Sequence, residues 1–238
     1  METKTQPFVD IEYRKTTSSN IHLEDLLNGR ISDIFRYEMG NILLNIADLN
    51  NVADSERKIS IALEIKPNEN RDIADIKVNV SSSCNSHSKC WKTSFLIGET
   101  ARTIEAVERY SPPRDAEGNP IEEPIESNEG VLCNIELGSI YSGAVSEAFD
   151  HALSEVLLNI VDVNNQALAT RRITIKASIK PSFTRDYAAL TVKVVSSSNG
   201  QTKPIETAMT IQRSADMVMA TERAIPQQKS LFENRVSL

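Results

Sequence analysis

The sequence predicts an α+β protein built from a tandem repeat of a helix–strand–strand–strand module. Each antiparallel sheet would carry its helix on one face, and a pseudo-two-fold would relate the copies. Three observations predict this. Ile42–Asn51 (ILLNIADLNN) reappears as Val156–Asn165 (VLLNIVDVNN). A slide of about 114 residues aligns 23–97 with 137–211 without a gap. Both copies show the same order of hydrophobic periods, first helical and then alternating.

The first element is a helix. Ile31, Ile34, Phe35, Ile42 and Ile46 fall on one helical stripe, as do Val145, Phe149, Ala152, Val156 and Ile160. Phe35 and Phe149 are therefore expected between helix and sheet. The Asp and Asn residues that follow each stripe read as a helix stop and turn. Next comes a strand with Arg57, Ile59, Ile61, Leu63 and Ile65 on one face and Lys58, Ser60, Ala62, Glu64 and Lys66 on the other. Pro67 closes it, and a short loop leads to a second strand with Ala74, Ile76, Val78 and Val80 on its apolar side. A polar turn from Ser81 to Lys89 precedes a third strand carrying Trp91, Phe95 and Ile97. Short loops between three strands imply an antiparallel meander.

The domain organisation follows: 1–22 an N-terminal extension, 23–98 the first repeat, 99–130 a linker, 131–212 the second repeat and 213–238 a tail. The linker carries Pro112, Pro113, Pro120 and Pro124 among acidic residues, the composition of an extended, flexible segment. One helix on three strands is a thin core. Pairing two modules through an edge strand or the helix layer would thicken it, and fusion makes that pairing intramolecular. The chain thus reads as a covalent dimer, open to further association.

Composition narrows the function. A net charge of -7 argues against coating duplex DNA by counterion release. Three cysteines, an odd number, imply no disulfide framework and suit a reducing cytosol. The polar, acidic start lacks the apolar core of a signal peptide, and no apolar run is long enough to span a membrane.

The repeated pattern resembles a phage and prophage family of Gram-positive bacteria labelled "replication terminator protein". The resemblance rests on Leu26, Gly29, Phe35, Leu44-Asn45-Ile46, Asp48, Asn50, Lys66-Pro67 and Arg71-Asp72, and on Gly143, Phe149, Leu158-Asn159-Ile160, Asp162, Asn164, Lys180-Pro181 and Arg185-Asp186. The Asp-Pro-Asn turn usual in that family is Asp48-Leu49-Asn50 and Asp162-Val163-Asn164 here. The resemblance implies a phage-derived accessory protein of the bacterial cytoplasm.

Four constellations are candidates for chemistry. Cys84, His87 and Cys90, with Cys133 as a fourth ligand, have the donor types of zinc. Their spacing is not that of a zinc knuckle, and the second copy has Ser198, Gln201 and Pro204 there. No metal or other cofactor is expected. His22, His87 and His151 have no counterpart histidines in the other copy, and no nucleophile elbow, phosphate loop or dinucleotide fingerprint occurs, so no enzyme is expected. A cationic sheet face is led by Arg172, Lys176 and Lys180, with Thr174, Ser178, Thr191 and Lys193 beside them and Lys58 and Lys77 in the first copy. It suits a phosphate-bearing ligand or a solvated surface. The last constellation is Arg71-Asp72 with Arg185-Asp186, at equivalent turns. It is either turn scaffolding or an anion clamp at the seam. Because Arg57, Lys66 and Arg71 meet Arg171, Lys180 and Arg185 in the slide, those six are the expected ligand-binding residues. The expected function is non-catalytic capture of a small anionic, nucleotide-like ligand. The alternative is a replication or recombination accessory that binds nucleic acid or a replisome protein.

Overall fold

The computed structural model describes residues 16–84, 89–99, 103–112, 114–117, 119–121, 128–197, 205–213 and 217–223. The first copy contains β1 (Thr16–Ser19), α1 (Arg30–Ala47), β2 (Arg57–Pro67), β3 (Ile73–Ser82), β4 (Lys89–Glu99) and β5 (Thr103–Arg109). The second contains β6 (Val131–Cys133), α2 (Ala144–Val161), β7 (Arg171–Pro181), β8 (Tyr187–Ser196), β9 (Ile205–Arg213) and β10 (Val218–Arg223).

The expected fold class is corrected. The described residues are mostly β, a single mixed, curled sheet of half-barrel form with two helices, rather than a tandem of helix-packed α+β modules. Among the described residues the sheet has ten strands in the order β1-β5-β4-β3-β2-β7-β8-β9-β10-β6. The physical reason lies in its middle. The edges of β2 and β7 hydrogen-bond to each other, Arg57 opposite Ile179 through Ile65 opposite Arg171. This erases the boundary between two sheets and removes two exposed edges at once. Ile61 stands opposite Ile175, its own equivalent in the other copy.

The outer strands fall in segments expected to be irregular. β5 lies within the expected linker, β1 in the N-terminal extension and β10 in the tail. β1 joins β5 in parallel and β6 joins β10 in parallel, so the sheet is mixed. The expected linker's remaining described residues include one isolated bridge, Arg114 to Pro120.

The alternation in β2 and β7 is realised as burial. Ile59, Ile61, Leu63 and Ile65 face Ile173, Ile175, Ala177 and Ile179 on a common interior surface. Both helices lie against that surface. α1 packs on β2 and β3 and also on β6 and β10; α2 packs on β7 and β8 and also on β1 and β5. Each helix thus touches the centre of the sheet and the far end of the opposite copy, so the sheet has to curl around the pair. Phe35 and Phe149 are 0% exposed. Gly40 on α1 admits the side chain of Asn128, whose Nδ2 donates to the Tyr37 carbonyl at 2.7 Å; a Cβ at position 40 would stand 2.2 Å from that nitrogen.

The helices start from an unusual turn. Leu27, Asn28 and Gly29 are all left-handed, and so are Tyr141, Ser142 and Gly143. A carboxylate from the last strand of the same copy holds each turn. Glu108 Oε1 accepts from Leu27 N–H at 3.1 Å, and Glu222 Oε1 accepts from Tyr141 N–H at 2.8 Å. Burial raises the Glu108 carboxyl above the ordinary carboxylate range, against the lowering effect of the Leu27 N–H. A raised folded-state value means that the fold favours the protonated form. The associated stability is present at acid pH and is lost as pH rises through the folded-state value. Glu108→Gln keeps an acceptor for Leu27 and carries no charge. It should flatten the decline in stability from acid to neutral pH, measured by urea melts across pH, whereas an unchanged slope would place the titration elsewhere.

Candidate functional site

The arginines expected to hold a ligand are engaged in building the seam between the copies. The Asp48 and Asp162 turns come first. Asp48 accepts from Asn50 N–H at 2.9 Å, and Asp162 accepts from Asn164 N–H at 3.0 Å, so each helix leaves through a side-chain-closed turn. Arg57 on β2 is 4% exposed and grips this exit loop in its own copy. Its Nε donates to Asn45 Oδ1 at 3.1 Å, and its Nη atoms donate to the carbonyls of Val52, Ala53 and Ser55. Arg171, also 4% exposed, repeats the grip on Asn159, Ala167 and Ala169.

Arg71 and Arg185 act across the copies. Arg185 is 6% exposed, and its Nη1 donates to the carbonyls of Ile46 at 3.2 Å and Asp48 at 2.7 Å, with Nη2 on the Asn51 carbonyl. Arg71 Nη1 reaches the Val161 carbonyl at 3.5 Å, and its Nη2 reaches Asn165 O at 2.7 Å. Each guanidinium therefore caps the C-terminal end of the other copy's helix. Neither helix has a basic residue in its own last turn. The cation that the negative end of the helix dipole favours is supplied from across the seam.

The Asp residues do a separate job. Asp72 accepts from Asn68 Nδ2 at 2.6 Å, Asp186 from Ser182 Oγ at 2.8 Å, and both main-chain carbonyls accept at 2.7 Å from Ile97 and Ile211 N–H. These contacts hold Arg71 and Arg185 left-handed, at φ 62 and 61, with their side chains aimed outward from the turn. Arg57 and Arg185 meet at the same loop. Burial lowers the Arg57 guanidinium, and the nearby Arg185 charge lowers it further. Arg171 is lowered in the same way by burial and by Arg71. Carbonyl dipoles and helix ends offset this concentration of positive charge.

Lys66 and Lys180 are exposed on the outer face of the sheet, Lys66 opposite Asp75 and Lys180 opposite Ala189. The six expected residues thus divide into two arginines that cross the seam, two that brace a loop of their own copy, and two surface lysines.

The remaining candidates disperse. His87 lies outside the described residues, as do Ser198, Gln201 and Pro204. Cys84 follows β3, Cys90 is on β4 and Cys133 on β6; among the described residues no group of metal-ligating side chains comes together. His22 stands 3.9 Å from Asp150, and His151 stands 3.7 Å from Glu155 on its own helix.

A cleft not anticipated from the sequence lies beside β4. Its volume is ≈ 340 Å³, and Arg30, Cys90, Trp91, Lys92, Tyr110, Ser111 and Ile121 line it. It exists because β5 pairs with β4 only from Ser94 to Glu99. The chain then turns away at Tyr110 and leaves the first part of β4 uncovered on that side. Arg30 arrives from the first residue of α1. Two aromatic rings and two cations therefore border one concavity. Trp91 is the single tryptophan, and that was the one signal in the sequence that could have marked the place. In the second copy the equivalent positions are Ala144, Ile205 and Glu206 in place of Arg30, Trp91 and Lys92.

If the cross-seam caps carry the architecture, Arg185→Ala and Arg71→Ala should each cost about 2–4 kcal/mol in chemical denaturation, from orphaned carbonyls and the lost dipole partner. Lysine should not restore the loss, because one ammonium cannot reproduce the fork on several carbonyls. A loss below about 1 kcal/mol would assign the caps no structural weight.

No protein-family model matches the chain, and no curated protein matches it in sequence. The functional reading therefore stands on the geometry of the molecule.

Proposed function

We propose that the protein is a non-catalytic binding protein that captures a small anionic, nucleotide-like ligand in the cleft beside β4. The observation that carries this is the placement of Trp91, Tyr110, Arg30 and Lys92 around one concavity of ≈ 340 Å³. A nucleotide is an apolar planar base joined to an anion. Aromatic faces stack with the base, and a guanidinium takes a phosphate through parallel hydrogen bonds. The volume sits at the small end of the range of about 300–1,000 Å³ usual for ligand pockets. That suits one nucleotide unit. The site residues of this reading differ from the arginines expected from the repeat, whose donors are on main-chain carbonyls and on the side chains of Asn45 and Asn159. The resemblance to phage accessory proteins supports only a setting in the bacterial cytoplasm; a nucleotide signal of host defence is one ligand whose chemistry the cleft would fit. Among the described residues no helix is long and apolar enough to cross a membrane.

A second reading, a replication accessory that binds single-stranded nucleic acid, is favoured by one observation. Lys77 stands directly opposite Lys92, and Lys176 directly opposite Lys193, on the exposed face of the sheet. Like charges at such positions repel unless an anion lies between them.

Titration with adenosine monophosphate, read by the emission of the single tryptophan, separates the readings. Saturable quenching should occur, and calorimetry of Trp91→Ala should show affinity falling about 10-fold or more, since base stacking contributes about 1–3 kcal/mol. Lys92→Glu should weaken binding comparably without changing the thermal melt. Unaltered emission with nucleotides, together with salt-sensitive binding of an oligonucleotide, would replace the first reading by the second.

A further inference from the structure

We infer that the seam between the copies selects unlike halves: the surface of the first half accepts the second half as partner and rejects another first half. Glu24 and Gly138 are equivalent positions under the slide that aligns the copies, and they touch. A Cβ built on Gly138 would lie 2.8 Å from Glu24 Oε1 and 2.8 Å from its carboxyl carbon. Glu24 Oε2 there accepts from Ser146 Oγ at 3.0 Å. Equivalent residues that touch mark the centre of the contact, as Ile61 and Ile175 do in the sheet. At this place one half presents a carboxylate and the other presents nothing.

Two first halves would bring two Glu24 carboxylates onto one spot, a steric and electrostatic conflict. Two second halves would leave a gap. The flanking polar groups repeat the preference. His22 faces Asp150 at 3.9 Å, and Arg36 Nη2 faces Glu136 Oε1 at 3.6 Å. Asp150 and Arg36 are equivalent positions, and so are His22 and Glu136. Two first halves would therefore set His22 against Arg36, and two second halves would set Glu136 against Asp150. Pairs at exposed sites contribute little attraction on their own. As a selective device they act through the wrong pairing, in which Glu136 would repel Asp150 and His22 would meet a guanidinium in place of its carboxylate partner. The partner that fits this surface is the opposite half, from the same chain or from a second chain by exchange of halves.

The full-length protein tests this by moving the carboxylate across the seam. Gly138→Glu should lower Tm by about 5 °C or more, because two carboxylates then compete for one place. The double variant Glu24→Gly with Gly138→Glu should recover most of that loss. The moved carboxylate meets Ser32, the equivalent of Ser146, and approaches Arg36 instead of Asp150. A Gly138→Glu variant as stable as the parent, or a double variant no better than Gly138→Glu alone, would overturn the inference. Association gives a second reading. A protease site inserted in the exposed turn at 116–117 allows the folded chain to be nicked, unfolded in urea and refolded as a mixture. Native mass spectrometry should then find unlike fragment pairs almost exclusively. Like pairs in comparable amount would refute selection.

Discussion

The structure depends on a guanidinium crossing from one copy to cap the helix of the other. A helix ends with carbonyls that have no partner within the helix, and burying that end without donors is costly. In this chain the end of α1 is closed on one side by its own Asp48 turn and Arg57, and on the other by Arg185. α2 receives Asp162, Arg171 and Arg71 in the same roles. The capping arginines sit in left-handed turns, a conformation unfavourable for a residue with a Cβ. Asn68 with Asp72, and Ser182 with Asp186, fix those turns, so the strain is held by local hydrogen bonds and offset by the carbonyls the arginine reaches. Both caps flank the place where β2 and β7 pair edge to edge and make the sheet of described strands continuous.

Much of the local structure was legible because its signals are local. The period of two in Ile59–Ile65 and the helical stripe through Phe35 depend on neighbours a few residues away, and the buried faces follow them. The fold class was misjudged because it depends on which edges meet, and backbone edges carry no side-chain signature. The outer strands were missed for a different reason. β1 and β6 have four and three residues, too few to show a period. β5 and β10 lie beyond the ends of the ungapped repeat 23–97 and 137–211, yet they too are equivalent. Ile104, Ala106, Glu108 and Arg109 continue into Val218, Ala220, Glu222 and Arg223 under the same slide. The shared Glu holds the helix-initiating turn in both copies. Arg71 could be singled out from the sequence, yet its acceptors are carbonyls roughly ninety positions away, and any residue has a carbonyl.

Duplicated and unduplicated features divide the molecule by purpose. The doubled arginines, the Asp-Asn turns and the Glu on the last strand are framework. Their recurrence reflects a helix and a seam that each copy has to build. The lining of the cleft beside β4 is not repeated in sequence, since Arg30, Trp91 and Lys92 correspond to Ala144, Ile205 and Glu206. The contact of Glu24 with Gly138 belongs to neither copy alone. The proposed binding role and the inferred pairing preference both rest on divergence between the copies more than on their agreement.

The claim that the caps couple the two copies is most directly tested by hydrogen exchange of Arg185→Gln, followed amide by amide. The account predicts faster exchange in the last turn of α1 and through Asn51, in the copy that does not contain the substitution, together with the β7–β8 turn. Deprotection confined to residues 182–187, with the end of α1 as protected as in the parent protein, would contradict it.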